Sequence, residues 1–199
     1  MIVGYHLIFA TYGFWLPNDP RGSWSEFVGS WDLLCYGPAT KTTARHSVAA
    51  RQHDTQQRLA AKQALKYPPV EFTGLQAREV GRAFAGYVER SQLPVWACAI
   101  MPDHVHLVVG KPRIQIEQLA IQLKGEATEQ LLRAGLHPLA RFQANEKRPP
   151  KCWSRGQWKV YLDPDDVLRA IEYVNNNPIK AGLPRQTYPF ITPPPNVFT

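Results

Sequence analysis

Two short patterns in this chain carry side chains able to do chemistry. The first is His104-Val105-His106, which follows the turn-forming pair Pro102-Asp103 and opens an apolar run ending at Val109. Side chains alternate across a strand, so both imidazoles face one side while Val105 and Leu107 face the other. Two imidazoles about 7 Å apart along a strand can converge on one metal ion; two satisfied histidines in a half-buried strand are the competing reading. The second pattern is Tyr173 with Asn177, four residues on. They lie about 40° apart around a helix and flank the apolar stripe Val167, Leu168, Ile171 and Val174. Such a helix packs on a sheet and still presents both polar tips at its margin. Asn177 precedes Pro178, which predicts that the helix ends there. Taken singly, Tyr173 also reads as an amphipathic residue at a core edge and Asn177 as a helix cap.

The elements that must position these residues follow from periodicity and turn chemistry. Tyr5 to Tyr12 is rich in aromatic and β-branched residues and predicts a strand. Val95 to Met101 and His104 to Val109 predict a hairpin around Pro102-Asp103. Trp158 to Leu162 predicts a fourth strand. Val80, Phe84, Tyr87 and Val88 recur at helical spacing within Leu75 to Arg90, as do Ile116, Leu119, Ala120, Leu123, Ala127 and Leu131. Asp163-Pro164-Asp165-Asp166 is a helix start, with an Asp cap, Pro at the first position and acids in the first turn; Gly182 closes that helix. The order predicts an α+β fold. It is a ferredoxin-like or RRM-like antiparallel sheet with helices on one face, plus a basic insertion after the first strand. We read residues 1–199 as a single domain, with the insertion at about 18–70 and an extended Pro-rich tail at about 184–199.

Composition sets bounds. The 199 residues carry a formal net charge of +7 with 20% charged residues, against global disorder. No apolar run is long enough to span a membrane, and Met1 to Leu16 lacks the basic start of a signal peptide. Cys35, Cys98 and Cys152 are scattered and form no CxxC pair, which suggests a reducing cytoplasm. The charge is uneven: residues 41–90 are net +5 and residues 131–160 net +6, while the rest are slightly acidic. Two basic blocks look like a polyanion footprint or a solvated surface. In the first, a helix over about Arg45 to Lys66 sets Arg51, Arg58 and Lys62 within about 40° of one another. In the second, basic residues mix with Trp153 and Trp158, a combination suited to unpaired nucleic acid, although either Trp can equally be a core anchor.

At this point the residues resemble a known family. Met101-Pro102-Asp103-His104-Val105-His106-Leu107-Val108-Val109 resembles the HUH motif (His, hydrophobic, His) of single-tyrosine transposases, IS200-like proteins that act on single-stranded DNA. Tyr173-Val174-Asn175-Asn176-Asn177-Pro178-Ile179-Lys180-Ala181-Gly182-Leu183 is similar to the catalytic-tyrosine helix and the turn after it. Cys152 to Trp158 is similar to the segment leading into the preceding strand. Thr11 to Pro17 is similar to the REP-associated tyrosine transposase branch. The resemblance leaves out about residues 25–70.

What it implies is a single-stranded DNA endonuclease and strand transferase. Tyr173 would attack a scissile phosphate at or near a DNA hairpin, giving a 5′-phosphotyrosine and a free 3′-hydroxyl. A divalent ion, Mg2+ or Mn2+, would sit on His104 and His106 with Asn177 as third ligand. Imidazole ligands favour Mn2+ of the two. Lys124, Trp153 and Arg155 would contact the DNA, and the first basic block, with Arg51, Arg58 and Lys62, would add to the grip on the strength of its charge, not of the resemblance. Asp103 would orient an imidazole or cap its turn. The resemblance accommodates a monomer and a homodimer, in the cytoplasm and on the nucleoid when DNA is bound. Two other readings stand beside it: a ferredoxin-like module that binds single-stranded nucleic acid without cutting it, and a metal-dependent hydrolase. The second is disfavoured because few further His and Asp ligands remain.

Overall fold

Four strands form one antiparallel sheet: β1 (Gly4–Ala10), β2 (Val95–Ile100), β3 (His104–Gly110) and β4 (Trp158–Leu162), in the spatial order β2-β3-β1-β4. This is the ferredoxin-like order. The computed structural model describes residues 1–19, 28, 31–40 and 52–195. Among these are the helices α1 (Thr55–Gln63), α2 (Gly74–Ser91), α3 (Ile116–Arg133) and α4 (Pro164–Lys180), and two short 3-10 turns at Trp31–Tyr36 and Ala140–Phe142.

Alternation along the central strands separates two chemistries. Leu7, Phe9, Val105, Leu107 and Val109 face the main core, against Val80 and Phe84 of α2 and Leu119, Leu123 and Leu131 of α3. Residues 6 and 8 of β1, with 104, 106 and 108 of β3, face the other side. β2 is buried along its whole length, and its pairing shifts register between Val95 and Ala97. That bulge lets Trp96 and Ala97 both join the second core while Val95 and Cys98 stay in the first. The expected helix layer on one face holds for α2 and α3. The last helix differs: Val167, Ala170 and Val174 of α4 pack on Trp96, Ala99, Met101 and Val108 of the opposite face. Periodicity reveals which side of a helix is apolar but not which face of a sheet receives it.

The segment between β1 and α2 makes a small cluster of its own from Leu16, Leu33 and Ala61, with Tyr36 and Leu65 beside it. The helix expected from Arg45 starts later. Asp54 caps it, its carboxylate accepting from the Gln57 amide at 3.0 Å. Residues 45–51, Arg51 among them, lie outside the described residues. The C-terminal segment runs along the free edge of β2. The Gln186 carboxamide accepts from the Ile100 N–H and donates to its C=O, both at 2.8 Å, and the Thr192 N–H donates to the Val95 C=O. Phe190 enters the main core. One sheet edge is thereby covered by the chain itself.

Helix α4 does not stop before Pro178; it continues to Lys180 with Pro178 buried inside it. A proline costs the helix one N–H bond. Here the loss falls in the last turn, where the ending is held in another way. The Gly182 N–H donates to the Ile179 C=O at 3.0 Å and the Leu183 N–H to the Pro178 C=O at 2.8 Å, a Schellman ending with Gly182 at φ +73°. A Cβ on Gly182 would meet nothing within 4 Å, so only backbone strain opposes a side chain there. Gly182→Ala should therefore lower stability by about 1–2 kcal/mol, read as a lower urea midpoint with an unchanged slope.

Candidate active site

The face opposite the main core gathers three histidines from the two central strands. His104 and His106 project from β3 with ring centroids 4.7 Å apart and planes at 83°. His6, from β1, comes within hydrogen-bond distance of His106: its Nε2 lies 2.9 Å from His106 Nδ1, and both rings are buried. The Nδ1 atom of His104 lies 2.6 Å from an Asp103 carboxylate oxygen. Phe14 packs against the His104 ring at 5.2 Å. Burial holds the His6 imidazole down at about 4. Burial, then the neighbouring His104 and His6, holds His106 well below its ordinary value. Both rings are neutral at neutral pH, the state in which imidazole ligates metals.

Helix α4 brings the tyrosine to the same face. The Tyr173 ring sits 5.7 Å from both the His6 ring and the His106 ring, edge-on to each, and Tyr173 is 47% exposed. Lys180 places its ammonium 5.9 Å from the Tyr173 ring centroid. Asn177 stands one turn beyond Tyr173 and is half-buried; its Nδ2 donates to the Tyr173 C=O at 3.4 Å. The fold thus assembles His104, His106 and Tyr173 from one chain. Asn177 lies on the same helix, with its amide turned back to the backbone. Sequence reasoning missed His6. Its signal was available: in the run Tyr5 to Phe9, His6 alternates with Leu7 and Phe9, which places an imidazole on the face opposite the core.

The donor set fits a divalent cation. Each histidine of the pair has Nδ1 engaged by a neighbour, which leaves Nε2 as the ligating atom. Among the described residues no three or more His, Cys, Asp or Glu side chains are placed to hold a metal ion. Among the described residues, Asn177 on α4 carries a carboxamide oxygen on this side of the sheet.

The expected DNA contacts divide. Trp153 is a core residue, not a stacking platform: it is buried, with its ring against Phe9 at 5.4 Å and Phe72 at 5.1 Å. Lys124 is also turned inward. Its ammonium donates to the C=O of Ser154 at 3.0 Å and of Gly156 at 2.5 Å, over the Phe9 ring. Burial lowers its pKa to about 8. Arg155, between those two carbonyls, is exposed. On α1, Arg58 donates to His53 Nε2 at 3.1 Å, and Lys62 pairs with Glu71 at 3.6 Å. Both side chains remain partly exposed. None of the described helices is long and apolar enough to cross a membrane.

Residues 65–177, more than half of the chain, match the family model "Transposase IS200 like". The chain belongs to the IS200-like transposase family. Among solved structures it is similar to a REP-associated tyrosine transposase bound to a REP hairpin, at 11% identity and TM-score 0.47. That match covers 92% of this chain and 70% of that one. It is also similar to a Deinococcus radiodurans R1 protein provisionally described as a transposase, at 16% identity and TM-score 0.39, covering 88% and 91%. No curated protein matches.

The Lys124 strap has a pH signature. A lysine whose folded pKa lies below its unfolded value binds fewer protons when folded, so folding gains stability as pH rises between about 8 and the ordinary lysine value. Wild type should gain stability relative to Lys124→Met across that interval, with no relative change below it, as read by urea denaturation at stepped pH.

Proposed function

We propose that this chain nicks and rejoins single-stranded DNA through a covalent 5′-phosphotyrosine on Tyr173. The observation that carries the reading is the meeting of a half-exposed tyrosine with an imidazole pair on one face of the sheet. A divalent ion, Mg2+ or Mn2+, would be held by His104 and His106 with Asn177 as third ligand, and would polarise the scissile phosphate.

In the first step the Tyr173 oxygen forms a bond to phosphorus and the bond from phosphorus to the 3′-oxygen breaks. The phenol proton passes to water, which reaches Tyr173 freely, and the departing 3′-oxygen takes a proton from water. In the second step a 3′-hydroxyl attacks the adduct, the bond to Tyr173 breaks and the tyrosine is reprotonated. Covalent catalysis splits one displacement into two and keeps the bond energy in the adduct. Lys180 supplies positive charge beside the tyrosine where a phosphate must approach. Asp103 orients His104. The site is built in cis. The partner is single-stranded DNA carrying a hairpin beside the cleavage site, gripped by Arg155 and the basic face of α1. The work takes place in the cytoplasm, on nucleoid DNA.

A single-stranded oligonucleotide labelled at the end retained on the protein, incubated with Mn2+, should yield a band that resists denaturing electrophoresis. Tyr173→Phe should abolish that band while oligonucleotide affinity stays within a few-fold; an adduct that persists assigns the nucleophile elsewhere. Chelation with EDTA should stop adduct formation. Mn2+ should restore it at lower concentration than Mg2+, because imidazole donors suit it better. Arg58→Gln with Lys62→Gln should weaken DNA binding and reduce its salt slope by about 1–2 in total, leaving cleavage of bound substrate intact.

A further inference from the structure

His6 is the one histidine of the cluster to which the proposed chemistry gives no part. It is buried on the central strand, and its Nε2 is 2.9 Å from His106 Nδ1. Two neutral imidazoles at that distance share one proton between them. If His106 Nδ1 accepted the bond, the His106 proton would sit on Nε2 and that atom could not ligate. If His106 Nδ1 donates, Nε2 keeps its lone pair and can ligate. His6 cannot be a third ligand through Nε2 in this arrangement, because that nitrogen is directed at His106. It can set which nitrogen of His106 bears the proton.

We infer that His6 is a positioning residue: its Nε2 accepts the Nδ1–H of His106, fixing His106 in the tautomer whose Nε2 binds the divalent ion. Asp103 does the same for His104 with a carboxylate in place of an imidazole. The two ligands are thus oriented from opposite directions, one by its chain neighbour and one across the β1–β3 ladder. Such supporting bonds are typically worth about 10–100-fold in metal affinity. The inference rests on reading His104 and His106 as metal ligands.

The test begins on metal-free full-length protein with 15N-labelled histidine. Long-range proton–nitrogen correlation should show His106 and His6 both protonated on Nδ1 and bare on Nε2. A His106 ring protonated on Nε2 overturns the inference without any variant having to fold. Mn2+ affinity is then followed by electron paramagnetic resonance. His6→Phe keeps a ring and loses the acceptor, and should weaken Mn2+ binding about 10–100-fold. His6→Gln places a carboxamide oxygen where the imidazole nitrogen was, and should recover most of the loss. Unchanged affinity in folded His6→Phe, or a Gln variant no better than Phe, overturns the role of His6 alone. Wild-type protein that binds no Mn2+ overturns the reading of the metal site and this inference with it.

Discussion

Everything at the site depends on the antiparallel ladder between β1 and β3. Seven residue pairs, from Gly4 with Gly110 to Ala10 with His104, hold the two central strands in one register. A slip of one residue would turn His104 and His106 into the main core and Val105, Leu107 and Val109 onto the opposite face. The large apolar side chains Leu7, Phe9, Val105 and Leu107 forbid that slip, because each is fully or almost fully buried against α2 and α3. The core therefore does chemical work at a distance. By fixing the apolar face it fixes the polar one, and brings His6 beside His106 without any contact between loops.

Helix α4 supplies what the ladder cannot. Its apolar residues Val167, Ala170 and Val174 grip β2 and β3, and Tyr173, next to Val174, is carried over His6 and His106. Placing one helix on this face sets a helical side chain over the strand histidines. The C-terminal end of the helix is held by the turn around Gly182. The proline inside the helix falls after Tyr173, so the turns that hold the tyrosine keep their hydrogen bonds.

Local features were legible in the sequence to the extent that they are local. β4 spans Trp158–Leu162 and α4 begins at Pro164 after Asp163, both as turn chemistry and periodicity indicate. The common orientation of His104 and His106 follows from strand alternation alone. Relations between distant segments were not legible. Nothing in the α4 stripe tells which sheet face it covers. His6 becomes informative only when β1 is set against β3, one hundred residues on. Trp153 amid basic residues has the composition of a stacking site. Its neighbours Phe9 and Phe72, remote in sequence, make it core. Pro178 reads locally as a stop, but its burial and the Schellman turn outweigh one lost bond.

The positive charge is the part of the sequence whose meaning the fold changes most. Counted along the chain, two basic blocks promise a broad cationic surface. In the fold much of it is spent internally: Lys159 on Glu117, Arg90 on Glu126, Arg148 on Glu129, Arg82 on Glu79. The pairs with both partners well exposed add little stability each, whereas Glu79 is buried beneath Arg82; all of them lower the local field that a polyanion would meet. Lys124, on α3 between the two blocks, is half-buried and committed to two backbone carbonyls. Those carbonyls belong to the residues on either side of Arg155. An inward lysine that holds Ser154 and Gly156 leaves Arg155 exposed on an anchored loop whose backbone is already ordered. A cation from α3, outside both basic blocks, thus builds the loop, and a cation of the second block is presented by it; charge counted along the chain does not separate the two roles.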